Sequence, residues 1–331
     1  MNERADLSFP EGVRLRELLR LSLAEDIGAG DVSTQLTVPS QALIAGWIVA
    51  RATGVVAGLP VLDPLFSELS PLIRVQLLAE DGDPVAPGAA LARVSGPARP
   101  ILSGERTALN YLQHLSGIAT VTARYVAAVA GTGCRVLDTR KTVPGLRALA
   151  KYAVRVGGGE NHRLGLYDRI LLKDNHWIAS AGNVAAVVAR ARRERPELTL
   201  EIEVDSLAQL DTVLPLGPDW ILLDNFTPAQ VAEAARRRDA AGGSRDAGPR
   251  LEVSGNVALE TVRAYAEAGA DAASIGRLTH SAPALDIGFD LGPPPPIGSA
   301  AEGAAAAHEP PAGAGGSAPA GAGGSAPPGA R

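Results

Sequence analysis

Between Cys134 and Thr279 six short apolar runs alternate with stretches of helical periodicity: CRVLDTR, RILLKDN, LTLEIEVD, WILLDNF, RLEVSGN and AASIGRL. The segments between them, such as NVAAVVARARRE and NVALETVRAYAEAG, carry apolar residues at helical spacing. Alternation of this kind predicts parallel strands joined by helices. One run decides between an open sheet and a barrel. In EIEVD, Glu201, Glu203 and Asp205 alternate with Ile202 and Val204, and strand side chains alternate between faces. An open sheet covered by helices would press these carboxylates against apolar surfaces, whereas a barrel lumen opening on a polar mouth can hold them. The chain is therefore expected to be α/β, centred on an incomplete β/α barrel of about six or seven parallel strands. A dinucleotide-binding sheet fits less well. No G-x-G-x-x-G stands between strand and helix, and VGGGEN follows a helix, where it reads as cap and loop.

The flanks differ from this core. Residues 1–116 read as a small α/β module. Leu15, Leu18, Leu19 and Leu23 have helical spacing, strand-like stretches follow, and Ser103 to Ala130 reads as a helix with a break expected near Gly117. The barrel is expected over residues 117–280, with residues 281–292 returning to the first module. From Pro293 the chain becomes Pro/Gly/Ala-rich and holds one large apolar residue, Ile297. Such a tail, residues 293–331, is expected to stay disordered and to leave His308 idle, because it cannot bury enough surface to offset its ordering entropy.

Cys134 is the only cysteine, which fits a reducing, cytoplasmic compartment and a small buried apolar role. The first twelve residues lack the apolar core of a signal peptide, and no apolar run approaches the ~20 residues needed to span a bilayer. A net charge of −5 without a basic tail argues against nucleic-acid binding.

Charge is nevertheless concentrated. From Arg135 to Trp177 nine Lys and Arg face four acids, a local net of +5, and the chain's three lysines, Lys141, Lys151 and Lys173, all lie there. Arg147, Lys151 and Arg155, four apart, read as one solvated helix face. The cations that end strands read as functional. The first strand end supplies Thr139, Arg140 and Lys141, the next loop His162 and Arg163, and the second strand Lys173 and Asn175. Glu203 and Asp224 end the third and fourth, Ser254, Gly255 and Asn256 the fifth, and Ser274, Ile275 and Gly276 the sixth. Cations beside two carboxylates suit a polyanion with a divalent metal such as Mg²⁺, which is held by one or two carboxylates together with substrate oxygens. Small turns let backbone N–H groups approach a phosphate, and Arg suits carboxylates. A Schiff-base aldolase using Lys173 and a non-enzymatic phosphate-ligand sensor are rivals. Borohydride trapping and a turnover assay separate them.

Together EDIGAGDVST, GERTALNYLQHLSGIAT, DTRKTVPGLRALAKYAV, GGGENHRLGLYDRILLKDNH, EIEVDSLAQL, LLDNF, LEVSGNV and SIGRLTHSAPALDIG resemble the quinolinate phosphoribosyltransferase family, from about Val13 to Leu291. The resemblance implies an N-terminal open α/β sandwich, the incomplete barrel, and a homodimer or higher assembly with shared sites. It implies reaction of quinolinate with phosphoribosyl pyrophosphate and Mg²⁺ to give nicotinate mononucleotide, pyrophosphate and CO₂ on the way to NAD. By the same resemblance Arg140, His162, Arg163 and Lys173 hold the quinolinate carboxylates, and Arg106 reaches in from the neighbouring subunit. Lys141 faces pyrophosphate or dicarboxylate, Glu203 and Asp224 the metal and ribose, the SGN and SIG turns the 5′-phosphate, and His280 assists. A superfamily relative acting on another pyridine, or linked to molybdate transport, is the alternative.

Overall fold

The computed structural model describes residues 8–179, 183–243 and 247–292; the tail and His308 lie outside the described residues. Four strands form an antiparallel sheet in the order Ile287–Leu291, Leu43–Ala50, Ala90–Pro97, Arg74–Leu77. The returning end of the chain thus pairs with the first strand, Ala50 opposite Ile287. The helices Val13–Ile27 and Leu62–Leu69 belong to the same module; Leu15, Leu19 and Leu23 bury one face of the former, with Leu18 partly buried beside them. Within EDIGAGDVST, Asp31 caps the short helix Val32–Thr37 by accepting Thr34 N–H at 2.9 Å, and also accepts Ser103 Oγ at 3.0 Å, tying that turn to a longer helix further along the chain.

That helix, α1 (Ala98–Ala128), runs 31 residues without a break. The glycine expected to interrupt it does something else. A Cβ on Gly117 would lie 2.2 Å from Pro283 O, so Gly117 marks where the returning segment crosses against the helix. Glycine was read from the sequence as a breaker, whereas its missing side chain is what matters here.

Six parallel strands follow: β1 (Arg135–Leu137), β2 (Ile170–Leu172), β3 (Leu200–Val204), β4 (Trp220–Asp224), β5 (Arg250–Ser254) and β6 (Ala272–Ser274). Their order is β1-β6-β5-β4-β3-β2, so the sheet curls round but leaves β1 and β2 unpaired with each other. In that gap Glu160 makes a single parallel bridge to Leu137.

Register and alternation place the side chains in layers. Glu201 pairs with Trp220, Glu203 with Leu222, and Glu252 with Leu222 and Ala272, so these residues face one lumen. At the amino end Trp220 plugs it; the guanidinium carbons of Arg135, Arg169 and Arg250 lie 5.0, 5.2 and 5.6 Å from its ring centre. The three EIEVD acids form a gradient: Glu201 is buried, Glu203 half-buried and Asp205 exposed. Cys134 is buried at the start of β1, as a small apolar residue would be.

Candidate active site

The end of β1 is built as a turn. Lys141 N–H donates to Thr139 Oγ1 at 3.0 Å, and Thr279 Oγ1 donates to Lys141 O at 2.8 Å. Arg140 and Lys141 are exposed. Lys141 and His280 both lie over Gly276, where a Cβ would stand 2.9 Å from Lys141 Cδ and 3.3 Å from His280 Nε2. Three residues named from the sequence therefore converge. Arg147 supports the turn from helix α2 (Arg147–Val156), donating to Arg140 O at 3.3 Å and Leu164 O at 3.2 Å.

The solvated basic face expected on α2 is not there. Lys151 is 4% exposed and donates to Asp138 and, at 2.8 Å, to His162 O. Arg147 and Arg155 are half-buried. Four-residue spacing identifies a shared helix face, but this face packs inward against the carboxylate that ends β1. Burial, against the pull of the partner, holds the Lys151 ammonium below and the Asp138 carboxyl above their ordinary ranges.

Beneath the mouth lies a buried cluster. Arg163 N–H donates to His162 Nδ1 at 2.7 Å, so the ring proton sits on Nε2, which meets Glu201 Oε2 at 3.0 Å. In this geometry neither ring nitrogen is free for a substrate carboxylate; contact requires the Glu201 bond to open. Arg169 Nη1 stands 3.2 Å from Glu201 Oε2 and 4.0 Å from Glu252 Oε2. Burial raises the Glu201 carboxyl, but His162 and Arg169 outweigh it and hold the group below its ordinary range. Glu252, deeper and less well partnered, is pushed well above the carboxylate range by burial and then by the neighbouring Glu201 charge. His162, Glu201 and Glu252 have donor atoms within 4.8 Å of one another and would suit a metal by type. Arg169 already supplies positive charge there, and burial favours the protonated form of Glu252.

At the mouth itself Lys173 pairs with Glu203. Asp224, half-buried on the neighbouring strand, accepts Asn225 Nδ2 at 2.8 Å. The turns after β4 and β5 interlock. Asn225 and Asn256 have φ of 56° and 52°, and Asn225 N–H donates to Ser254 O at 2.9 Å. Gly255 has φ 87°, and a Cβ there would strike Asn225 Oδ1 at 2.1 Å. Asn tolerates left-handed backbone, and the two turns use that tolerance at both positions. The turn after β6 departs from expectation. Ile275 is buried, and its N–H donates to Leu137 O at 2.9 Å, so it cannot serve a phosphate; Ser274 is buried too, its Oγ turned towards Val253 O. Gly276 remains half-exposed at this turn.

Arg163 is half-buried, and its guanidinium is held below its usual range by burial and by the nearby charge of Arg140. Arg140 and Arg163 are thus close enough to repel, and Lys141 and Lys173 lie on adjoining segments. Comparison with known proteins agrees over the whole described core. Residues 31–116 match the quinolinate phosphoribosyl transferase N-terminal domain, and residues 118–290 match its C-terminal domain. The chain belongs to the quinolinate phosphoribosyltransferase family. It is 48% identical to the nicotinate-nucleotide pyrophosphorylase [carboxylating] of Mycobacterium leprae over 83% of this chain and 96% of that one. The probable enzyme of that name from Bacillus subtilis is 40% identical over 84% and 94%. Among solved structures, the nicotinate-nucleotide pyrophosphorylase of Francisella tularensis superposes with a TM-score of 0.80 at 34% identity, covering 86% of this chain and 99% of that one.

For a quinolinate phosphoribosyltransferase chain, one site residue stands apart. Arg106 is exposed on α1, and among the described residues no hydrogen bond or ion pair joins it to the strand ends. Sequence reasoning missed Glu252, Asp138 and Arg169. RLEVSGN shows a single acid among apolar residues, and only the pairing with β4 and β6 reveals that it faces the lumen.

Two outcomes follow from this phosphoribosyltransferase geometry. Gly255→Ala should lower the melting temperature by more than Gly217→Ala. Both have positive φ, but Gly217, at 62°, has open space around it, and Gly255 does not. Equal losses would mean that Asn225 yields freely. Relative to wild type, Glu252→Gln should gain stability as pH rises through and above the ordinary carboxylate range, because there the unfolded chain has released this proton while burial favours it in the folded chain. Thermal melts across that range check this; a gain confined to low pH would contradict it.

Proposed function

We propose that the chain transfers the phosphoribosyl group of phosphoribosyl pyrophosphate to the ring nitrogen of quinolinate, with loss of the adjacent carboxylate. The products are nicotinate mononucleotide, pyrophosphate and CO₂, a step towards NAD. The observation that carries this reading is the apposition, at one barrel mouth, of Arg140, Lys141, Arg163 and Lys173 with the carboxylates Glu203 and Asp224. A pyridine with two carboxylates calls for several permanent cations; a monocarboxylate does not.

Arg140, Arg163 and Lys173 hold the dicarboxylate, and Lys141 with His280 over Gly276 faces the pyrophosphate. Asn256, Gly255 and Gly276 line the 5′-phosphate end, where small residues permit close approach. Departure of pyrophosphate leaves positive charge at the ribose carbon, which Glu203 and Asp224 stabilise from fixed positions. The ribosylated nitrogen then stabilises the electron pair left when the neighbouring C–CO₂ bond breaks; CO₂ departs without a protein nucleophile, and the ring carbon takes up a proton from water to give nicotinate mononucleotide.

Glu203 and Asp224 also fit Mg²⁺: they are partly buried hard-oxygen donors facing one lumen from adjacent strands. When bound, the ion neutralises charge on the pyrophosphate leaving group. The Lys173–Glu203 pair must open for Glu203 to take that role. Arg106, exposed on α1 and joined to the strand ends by no hydrogen bond or ion pair among the described residues, completes the site of a partner subunit in a homodimer. The single cysteine supports a cytoplasmic setting; no helix among the described residues is long and apolar enough to cross a membrane. Purified protein given phosphoribosyl pyrophosphate and Mg²⁺ should turn over quinolinate and leave nicotinate untouched. Turnover of nicotinate alone, or of another pyridine in preference, would reject the assignment.

A further inference from the structure

We propose that Lys151 is a positioning residue for the acceptor half of the site: through Asp138 it fixes residues 161–163 against the end of β1. The inference rests on the function proposed above. The barrel is open between β1 and β2, and the segment carrying His162 and Arg163 stands in that opening. Its ladder with β1 consists of Glu160 N–H to Val136 O at 2.8 Å and Asp138 N–H to Glu160 O at 3.2 Å. Beyond Glu160 no backbone–backbone hydrogen bond holds residues 161–163 among those described. The Asp138 side chain takes over. Its Oδ1 accepts His162 N–H at 2.9 Å, and its Oδ2 accepts Asn161 Nδ2 at 2.6 Å. Lys151 closes the frame by donating to His162 O at 2.8 Å.

Asp138 is fully buried, so its charge has to be met locally, and Lys151 is its ion-pair partner there. Without the ammonium the carboxylate takes up a proton or admits water, and either outcome weakens its acceptance of the two N–H donors. One ion pair thus sets the relation between Arg140, two residues beyond Asp138, and Arg163, next to His162. Both belong to the quinolinate end of the site. Glu203, Asp224 and the turns after β4 and β5 belong to other strands and do not touch the frame.

The test is Lys151→Met, with Tyr152→Phe as control. Tyr152 lies next along α2 and donates to Asp81 at 2.6 Å, so its variant loses a part-buried hydrogen bond without touching the frame. Lys151→Met should raise KM for quinolinate about tenfold and change KM for phosphoribosyl pyrophosphate by no more than about twofold. Tyr152→Phe should lower the melting temperature and leave both constants in place. Asn161→Ala, at an exposed position, tests the same frame if Lys151→Met does not fold, and should move KM for quinolinate in the same direction. Hydrogen–deuterium exchange provides a readout without substrate: residues 160–168 should exchange faster in either frame variant, while β3 and β4 keep wild-type protection. Equal movement of both KM values, or unchanged exchange at residues 160–168, would overturn the proposal. Failure of the wild-type protein to use quinolinate would overturn the function instead, and the exchange result would still decide the frame.

Discussion

Asp224→Asn should lower kcat/KM at least about a hundredfold, the scale on which removal of a fixed transition-state charge is felt. The fold should survive. Asp224 is half-buried at a strand end, and its side chain accepts a hydrogen bond from the adjacent Asn225. Asparagine keeps the shape and one acceptor oxygen but loses the negative charge that faces the developing positive charge on ribose. It also weakens a hard-oxygen metal position, so added Mg²⁺ should recover little of the lost rate. Steady-state rates across a Mg²⁺ titration, with a thermal melt beside them, check both parts. Normal activity throughout the titration would remove Asp224 from the site.

The second large effect concerns Arg106. Arg106→Ala and Lys141→Ala should each be inactive, because each removes a cation assigned to hold an anion. If Arg106 acts across a two-fold dimer, mixing the two inactive proteins should restore activity. In a hybrid dimer one site carries both defects, and the other combines the intact Arg106 of one chain with the intact Lys141 of its partner. Random exchange makes about half the dimers hybrid, with one good site of two, so about a quarter of wild-type activity should return. With exchange confirmed by a mass-tagged subunit, absence of recovery would place Arg106 outside the neighbouring site. The exposed position of Arg106, without a partner among the strand-end residues, is what makes the cross-subunit arrangement worth testing.

Much of this architecture was legible in the chain, for identifiable reasons. Six apolar runs with polar ends define parallel strands, and the alternation in EIEVD chooses the lumen; the structure turns that alternation into a gradient from buried Glu201 to exposed Asp205. The failures share a cause. Periodicity says which residues lie together on an element, not what that element packs against. Lys151 lies on one stripe with Arg147 and Arg155, but Lys151 itself meets Asp138 rather than water. His162 was counted among the free cations because its loop is basic, and only the strand register brings Glu201 and Glu252 beside it. Ile275 was given a phosphate-binding amide, which the sheet had already engaged through Leu137 O.

These corrections leave the chemistry intact and shift its support inward. The mouth carries exposed Arg140 and Lys141, and beneath them lie two buried charge systems, Lys151 with Asp138 and Arg169 with Glu201. Buried pairs of this kind contribute little net stability but cost about 3–5 kcal/mol when one partner is removed, so they act as rigid constraints. A site that works through fixed charges, without a protein nucleophile, depends on such constraints more than most.

In the function proposed, one mouth couples ribosyl transfer to decarboxylation of a dicarboxylate. The direct measurement uses quinolinate labelled in the carboxyl group next to the ring nitrogen, with phosphoribosyl pyrophosphate and Mg²⁺. Labelled CO₂ and nicotinate mononucleotide should appear one for one, and no CO₂ should appear when phosphoribosyl pyrophosphate is left out. Nucleotide formed without labelled CO₂, or CO₂ released without phosphoribosyl pyrophosphate, would contradict the account.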